Sequence, residues 1–565
     1  MKYILLGFML ILLSACAMTQ GGKRTAYTMK SDGVLPPSQI GLALLNAELH
    51  FEVFPDRQSI SARSLLTLST EQPRTEVGIN LDNLFTIHQV MVNGRDISAV
   101  HYRNPEGLLV MQLSQAVRDN FTVEISYSGQ PRVAIKAPWD GGFVWSKTPD
   151  GQDWIATAVQ GEGCDLFWPC IDYPGGEPRA LSMHITVPKN LYAAANGTLS
   201  HISEQEDTKT YHWQSLSQIN TYGVALNIGP YEVIEQTYKS PFGNEIPVFF
   251  YHLPQSAEQA TELTKELLEV TAFFETFVGP YPFAQDKIGV VETPHLGMEH
   301  QTINAYGNQF KKSKYGFDWL LHHEFAHEWF ANQLTNKNAN DMWLHEGFAA
   351  YMQPLYAEYL YGQVAYMAYM YDQRLSIKNK FPIVSQQVKS VEEVYEEDQG
   401  GPSGDIYAKA SWVLHTLRQL IGDAAFFKAT TELVYGTATP VIGQISPVLA
   451  DTQDFLAIVN KLTGEDYSWF FEIYFYQAEL PTLSNERSGQ TLTLSWVTQN
   501  DKPFPMPLDV SINGKIIQLH MKTPQKIELG PFDKVTLDPM SKILKDEAYI
   551  AQYQEFMQQS KTTEP

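Results

Sequence analysis

The hydrophobic residues of this 565-residue chain change their spacing twice, and no other feature of the sequence constrains the fold as strongly. From about 41 to 238 they alternate with polar residues, as in the runs 60–68, 121–127 and 181–187. Alternation with a period of two is typical of half-buried β-strands. Asn93-Gly94 marks a tight turn directly after one such run. This segment is therefore predicted to be a β-sandwich or a saddle-shaped β-domain.

From about 255 the apolar spacing becomes three and four residues, which predicts an amphipathic helix. Ser256 followed by Gln259 resembles a capping box at its start, and Gly279-Pro280 marks its end. Further helical windows cover 317–334, 341–362 and 405–420. The period of two returns after Pro481. The middle block is therefore predicted to be mainly helical, and the last part a small β-domain with a terminal helix.

The predicted fold class is accordingly multidomain α+β, with a mainly helical block between two β-domains. The predicted segments are a signal peptide over 1–15, a tether over 16–40, an N-terminal β-domain over 41–238, a mainly helical domain over 239–478, a small β-sandwich domain over 482–546 and a terminal helix with its tail over 547–565.

The first residues resemble the signal of a bacterial lipoprotein. Lys2 precedes an apolar run over 3–13, which has the length of a signal-peptide core and is too short to span a bilayer. The residues that follow, up to Cys16, resemble a lipobox. By that resemblance Cys16 carries the lipid, and the expected location is the bacterial cell envelope, on the periplasmic face of the outer membrane. An ordinary secretory peptide or a weak anchor is the alternative.

His323, Glu324 and His327 form an HExxH motif in a helix predicted to run without interruption over 318–334. Residues four apart share one face of a helix, so both imidazoles can bind one ion while Glu324 reaches a water beside it. Glu346 follows His327 after eighteen intervening residues. Two imidazoles, one carboxylate and an open fourth position are the ligand set of a catalytic zinc ion. The sequence therefore predicts one zinc ion per chain on His323, His327 and Glu346.

This spacing, with Glu346 inside the segment Trp-Leu-His-Glu-Gly-Phe-Ala, resembles the gluzincin aminopeptidases, which include membrane alanyl aminopeptidase and leukotriene A hydrolase. The resemblance covers nearly the whole mature chain and implies a thermolysin-like catalytic domain over 239–478. It leaves no room for the large C-terminal helical domain that many members carry. It implies a zinc aminopeptidase that removes the first residue of peptides, with Glu324 as the general base toward a zinc-activated water.

Gly297, Met298 and Glu299, followed by His300, resemble the GxMEN substrate-binding motif of this family. The resemblance implies that Glu299 binds the free α-amine of the substrate. Such a charge pair fixes the distance from the amine to the first peptide bond, which is the property that distinguishes an exopeptidase.

Two other segments resemble parts of the family's substrate site. Gln160 lies in a Gly-rich segment that leads to Pro-Cys-Ile-Asp, and its position implies that it helps to hold the substrate amine, with Glu162 as the alternative. Tyr407 lies in a segment similar to YxKG, which implies that its hydroxyl stabilises the oxyanion.

Several positions depart from the family pattern. They are His300 in place of Asn, Ala410 in place of Gly, Glu328 and Ala331 after the second histidine, and Gln353 in place of an acidic residue. The last three are expected near partners of the zinc ligands, so they are expected to change metal affinity and pH optimum.

Cys164 and Cys170 are the only cysteines after Cys16, which excludes a cysteine zinc site or an iron–sulfur centre. A disulfide between them and buried free thiols both fit the sequence. The formal net charge of −23 repels phosphate backbones and disfavours nucleic acid. The expected partners are peptides with a free amino terminus and, through the lipid anchor only, a membrane. Oligomeric state is not predicted.

Two other functions fit part of this pattern. A thermolysin-like endopeptidase would share the zinc ligands and Glu324 but would need no carboxylate at the substrate amine. A catalytically inactive, lipid-anchored binding protein is the non-enzymatic alternative.

Overall fold

The computed structural model describes residues 31–563, with side chains to 557, so the signal peptide and Cys16 lie outside the described residues. An N-terminal β-domain, a mainly helical domain and a small C-terminal β-domain follow one another along this part of the chain, which confirms the predicted fold class. Within the described range, no helix is long and apolar enough to cross a membrane.

The N-terminal domain packs a nine-stranded sheet against a four-stranded sheet. Its strands are β1 Leu42–Phe54, β2 Ser59–Asn80, β3 Thr86–Val92, β4 Arg95–Asp96, β5 Tyr102–Arg103, β6 Leu108–Gly129, β7 Gly142–Lys147, β8 Asp153–Ala158, β9 Leu181–Pro188, β10 Tyr192–Ala195, β11 Thr198–Glu204, β12 Thr208–Ser215 and β13 Leu226–Gly229. The large sheet has the order β11-β12-β9-β1-β2-β6-β3-β4, with β5 paired to β6, and the small sheet has the order β10-β13-β8-β7. Alternate residues of β2 and β9 are buried, as the period of two predicts. Asn93 and Gly94 take positive φ angles in the turn between β3 and β4.

The last part of the predicted tether does not extend into solvent. Over 31–40 the chain lies against the N-terminal domain, where the side chain of Gln39 is buried and donates to Asn80 Oδ1 at 2.5 Å. Arg74 donates to the carbonyl of Ser38 at 2.9 Å. The small and polar residues of this segment favoured a tether. Composition alone could not reveal the long-range hydrogen bonds that hold the segment against the domain.

The middle domain contains nine helices among the described residues, together with a five-stranded and a two-stranded sheet. The helices are α1 Ala257–Phe277, α2 Trp319–Ala326, α3 Trp343–Tyr361, α4 Gln363–Ser376, α5 Val391–Tyr395, α6 Ala408–Ile421, α7 Asp423–Tyr435, α8 Thr452–Thr463 and α9 Ser468–Phe475, and the strands are β14 Glu232–Lys239, β15 Glu245–His252, β16 Ile288–Glu292, β17 Gly297–Met298, β18 Asn304–Tyr306, β19 Leu334–Asn336 and β20 Val448–Ala450. The five-stranded sheet has the order β14-β15-β16-β18-β17. Because β14 belongs to this sheet, the boundary predicted at 238/239 falls inside a strand. Periodicity identifies a strand but not the sheet that it joins.

Helix α1 has the predicted length, but its predicted capping box is wrong. The hydroxyl of Ser256 makes no cap hydrogen bond and donates instead to Glu292 Oε1 at 3.0 Å. The second oxygen of Glu292 accepts from the backbone of Leu253 at 2.9 Å. The Ser256 hydroxyl therefore hydrogen-bonds to a carboxylate of strand β16 and does not form the helix cap that the local sequence predicted.

The uninterrupted helix predicted over 318–334 is also wrong. Asp318 caps the start of α2 by accepting from the backbone of Leu320 and Leu321, but α2 ends at Ala326. A π-turn over Glu328–Gln333 follows, in which Phe330 has φ −113° and ψ 62°. The chain then enters the buried strand β19. No Gly or Pro marks this break, so local propensity could not predict it.

The C-terminal domain contains two three-stranded sheets, which face each other as a small sandwich. Its strands are β21 Thr482–Ser488, β22 Thr491–Val497, β23 Leu508–Ile512, β24 Lys515–Leu519, β25 Gln525–Glu528 and β26 Val535–Leu537, and the terminal helix is α10 Ala548–Thr563. The sheet orders are β21-β22-β25 and β24-β23-β26. In the N-terminal domain, Cys164 and Cys170 form a disulfide, which decides between the two states that the sequence left open.

Candidate active site

His323, His327 and Glu346 come together at the junction of α2 and α3. Nε2 of His323 and Nε2 of His327 are 3.3 Å apart. Oε2 of Glu346 lies 3.3 Å from the first nitrogen and 3.4 Å from the second. Ligand atoms on one tetrahedral zinc ion, at bonds of about 2.0–2.1 Å, lie about 3.3–3.4 Å apart. The three donor atoms therefore already have the spacing that a zinc ion requires.

Hydrogen bonds on the far side of these ligands fix their orientation. Nδ1 of His327 lies 3.0 Å from the carbonyl oxygen of Phe330, to which it donates, so Nε2 is the nitrogen that would bind a metal. The break in the helix after His327 is what turns this carbonyl toward the ring. The departure from helical geometry therefore contributes to the metal site.

Tyr395 is a functional residue that the sequence analysis missed. Its hydroxyl, at the end of α5, donates to Oε1 of Glu346 at 2.6 Å. This bond leaves Oε2, which is buried and has no hydrogen-bond partner among the described residues, to face the two imidazoles. A single Tyr at the end of a short acidic helix has no sequence signature, and only the tertiary contact identifies it.

Glu299 is held in the same cavity by two donors from the N-terminal domain. Nε2 of Gln160 donates to its Oε1 at 2.7 Å, and the hydroxyl of Tyr222 donates to the same oxygen at 2.9 Å. Asn332 donates to the backbone carbonyl of Glu299 at 3.0 Å. Because both side-chain donors use Oε1, Oε2 is the oxygen left for a ligand. The sequence analysis placed Gln160 here but missed Tyr222.

Glu324 lies against the backbone of strand β17. A Cβ atom on Gly297 would lie only 2.5 Å from Oε1 of Glu324, so any larger residue at this position would have to displace the Glu324 carboxylate. Met298 is buried and lines the same cavity. Burial, with the carboxylate of Glu299 as the next cause, raises the pKa of Glu324 well above its usual range. A raised pKa suits a carboxylate that must take up a proton and release it again.

Tyr407 also faces the ligand cluster. Its ring centroid is 5.9 Å from that of His323, and it lies one residue before α6. Burial and the carboxylate of Glu346 raise the pKa of Tyr407 well above 10, so its hydroxyl stays protonated and can act as a donor. Glu162 lines the same cavity.

The departures from the family pattern mainly contact backbone and neighbouring helices. Oε1 of Glu328 accepts from the backbone of Thr302 and from Asn304, and burial raises the pKa of Glu328 to about 7. Gln353 donates to the carbonyl of Trp319 at the start of α2. Ala410 in α6 packs closely against Gly347 in α3, because a Cβ atom on Gly347 would lie 2.6 Å from the methyl group of Ala410. His300 is fully buried.

The cavity around these residues has a volume of about 640 Å³ and is strongly acidic. Among the described residues, no Lys or Arg lines it, whereas seven carboxylic acids do: Asp140, Glu162, Glu299, Glu324, Glu346, Glu392 and Glu396. Burial lowers the pKa of His327, but Glu299 and Glu346 overcome this effect and raise it to about 10. A nearby cation stabilises the charged form of carboxylates that are buried together. The site therefore attracts positive charge, both as a metal ion and as a cationic ligand.

Two family models match the chain. The model described as the Peptidase family M1 domain matches residues 259–474, and the model described as the Peptidase M1 N-terminal domain matches residues 44–222. The chain belongs to peptidase family M1. The first match contains His323, His327 and Glu346, and membership of the family implies one catalytic zinc ion, which these three residues could hold.

Curated relatives of this M1 family member include longer proteins. Tricorn protease-interacting factor F2 of Thermoplasma volcanium is 22% identical over 67% of this chain and 48% of its own length. Probable aminopeptidase 2 of Sulfurisphaera tokodaii is 23% identical over 72% of this chain and 52% of its own length. The chain thus spans about half the length of the curated relatives it matches.

A solved structure has the same fold over nearly its whole length. It is an M1 zinc metallopeptidase from Deinococcus radiodurans, solved as a mutant bound to a Tyr-Ser-Ala substrate. The match has a TM-score of 0.65 and 21% identity, and it covers 80% of this M1 family member and 98% of the other chain. The present chain thus has the same fold as this M1 zinc metallopeptidase over four fifths of its length.

Proposed function

We propose that this chain is a zinc-dependent aminopeptidase, which hydrolyses the first peptide bond of substrates with a free amino terminus. The observation that carries this proposal is the position of Glu299. Its buried carboxylate shares one cavity with the three metal-binding residues and points a free oxygen into it. An endopeptidase needs no such carboxylate, whereas an enzyme that measures from a substrate ammonium does.

Glu299 would bind and orient the substrate. Gln160 and Tyr222 fix the carboxylate through Oε1, so the substrate ammonium would pair with Oε2. Because Glu299 and Glu324 offer oxygens within 4.8 Å of one another and of a nitrogen of His327, an amine bound at Glu299 places its first carbonyl beside the ligand cluster. Holding the reacting groups in this geometry converts a bimolecular step into an effectively unimolecular one.

The residues of the chain would then move one proton and stabilise one charge. When bound, zinc supplies Lewis acidity, which acidifies a water ligand and polarises a carbonyl. Glu324 would accept a proton from the attacking water and pass it to the departing amine. Tyr407, protonated in this environment, would donate a hydrogen bond to the developing oxyanion.

The direct test is turnover of unblocked aminoacyl arylamides by the chain without residues 1–16. We expect activity that a chelator abolishes and that zinc restores, and we expect Glu324→Gln to remove it while zinc content stays unchanged. If the parent protein contains zinc but cleaves no substrate, it is the inactive binding protein and the proposal is wrong.

A thermolysin-like endopeptidase is the competing enzyme function, because it would use the same metal site. A matched pair of peptides, one free and one N-acetylated, separates the two. The aminopeptidase proposal predicts cleavage of the free peptide after its first residue only. Equal cleavage of both peptides at internal bonds would establish the endopeptidase instead.

We also propose that the protein is a lipoprotein of the bacterial cell envelope, anchored through Cys16. The disulfide between Cys164 and Cys170 supports export, since such bonds persist in oxidising compartments. The test is metabolic labelling with a radioactive fatty acid in a bacterial host. Labelled protein that sediments with membranes is expected, and label retained by Cys16→Ser would refute the anchor.

A further inference from the structure

Four histidines lie side by side on one face of the nine-stranded sheet. His50 of β1 pairs with His184 of β9, His184 pairs with His212 of β12, and His212 pairs with His201 of β11. These four strands are consecutive at one side of the sheet. Directly paired residues share a face, so the imidazoles form a line across the strands, here called the histidine row. It shares no residue with the peptidase site.

The rings of the histidine row contact one another. The centroid distances are 4.3 Å between His50 and His184, 4.9 Å between His184 and His212, and 4.0 Å between His212 and His201. Nδ1 of His184 faces Nδ1 of His212 at 2.6 Å. At the other end, Oε1 of Glu48 lies 2.8 Å from Nε2 of His50. The row therefore ends in a carboxylate that lies beside imidazole nitrogens.

Glu48, His50 and His184 have the arrangement of a metal site. Each offers one donor atom, and these atoms all lie within 4.8 Å of one another. Because Nδ1 of His184 faces His212, its Nε2 is the nitrogen left to bind, and His212 orients the ring as a partner of a metal-binding imidazole does. All three side chains are half-buried, so small rotations bring the donors to the spacing of about 3.3 Å that one ion needs.

We propose that Glu48, His50 and His184 bind a divalent first-row transition metal ion of the Zn²⁺ type on the outer face of the N-terminal domain. Imidazole nitrogens with one carboxylate suit Zn²⁺, Ni²⁺ and Cu²⁺, whereas Ca²⁺ and Mg²⁺ require oxygen ligands. The ion would join β1 to β9, which lie far apart in the sequence. Solvent in the open groove beside the row, about 440 Å³ in volume, would complete its coordination.

Arg63 competes with a cation at this place. Its Nη2 lies 3.1 Å from Nε2 of His50 and 3.8 Å from Oε1 of Glu48. Its Nη1 also lies 3.1 Å from Oε1 of Glu124, so the guanidinium has a second carboxylate partner to which it can move. A metal ion must displace Arg63 from Glu48 and His50. Arg63→Gln is therefore expected to tighten metal binding, by up to about fivefold if the surface ion pair has ordinary strength.

The experiment titrates the full-length, chelator-treated protein with ZnCl₂ in a calorimeter, with circular dichroism as a folding check. We expect two zinc ions per chain, one tight and one weaker. His184→Asn should weaken the second by at least about tenfold, while His323→Asn should remove only the first. His88→Asn is the matched control, since His88 is an exposed histidine that lines the same groove outside the row.

His184→Asn tests the metal site of the histidine row, whereas His323→Asn tests the peptidase centre, so failure of one proposal can be distinguished from failure of the other. The inference is supported if the second zinc ion is weakened in His184→Asn, retained in His88→Asn and tightened in Arg63→Gln. It is overturned if the parent protein binds no zinc ion besides the one that His323→Asn removes, if His184→Asn binds the second zinc ion as tightly as the parent protein does, or if Ca²⁺ fills the second site equally well. A parent protein that lacks the tight site but keeps a weaker one, which His184→Asn weakens further, would count against the peptidase centre and support the metal site of the histidine row.

Discussion

Replacing Glu299 by Gln tests whether its carboxylate binds the substrate ammonium and so selects the first peptide bond. The variant keeps the size of the side chain but removes its charge. Glu299 is only 3% exposed, and Gln160 and Tyr222 already occupy Oε1, so a substrate ammonium would meet a desolvated carboxylate oxygen. Truncating one partner of a buried, hydrogen-bonded charge pair costs about 2–5 kcal/mol.

A neutral amide retains part of this interaction, so we expect a loss of about 3–4 kcal/mol, which lowers kcat/KM for free aminoacyl arylamides by about 10²–10³-fold. The assay compares unblocked and N-acetylated substrates at equal zinc content. Glu396→Gln is the matched control, because Glu396 is an exposed carboxylate at the rim of the same cavity. If Glu299→Gln still prefers the unblocked substrate as strongly as the parent enzyme does, Glu299 is not the amine anchor.

Three other substitutions test separate parts of the account. Gly297→Ala places a methyl group against Oε1 of Glu324, so kcat should fall by about 10²-fold at unchanged zinc content; unchanged steady-state kinetics would show that this contact is relaxed. Tyr395→Phe removes the hydrogen-bond donor to Glu346 and should weaken zinc affinity by about 10–100-fold. Reactivation of the metal-free enzyme in zinc buffers measures this affinity, and an unaltered affinity would show that Tyr395 does not support the metal site. Glu177 is buried, and burial raises its pKa from 4.5 to about 7, so its stabilising contribution is complete below pH 4.5 and is lost as pH rises through 7. The free energy of unfolding in urea should therefore fall between pH 5 and pH 8 by up to about 3 kcal/mol less in Glu177→Gln than in the parent protein. An equal fall in the two proteins would show that Glu177 does not cause this pH dependence.

The sequence predicts those parts of the fold that depend on local pattern. The runs 60–68 and 181–187 lie in β2 and β9, and the spacing of three and four after residue 255 corresponds to α1. The break after His327 was not predictable, because no Gly or Pro marks it and the residues of the break are held by packing in the domain core. Local pattern determines the elements, whereas tertiary packing decides where they end.

The candidate site divides in the same way. The metal-binding residues carry a motif and could be named from spacing alone. Tyr395 and Tyr222 carry none, since each acts through one hydroxyl that reaches a carboxylate from a distant part of the chain. The histidine row shows the same limit, because its members come together only through strand register.

The most direct measurement is a zinc-edge anomalous difference map of crystals grown with one equivalent of zinc and a non-hydrolysable dipeptide analogue. The account predicts a peak at about 2.0–2.2 Å from Nε2 of His323, Nε2 of His327 and a carboxylate oxygen of Glu346, with the ligand amine within hydrogen-bond distance of Glu299. A peak elsewhere, or an analogue whose amine points away from Glu299, would contradict it.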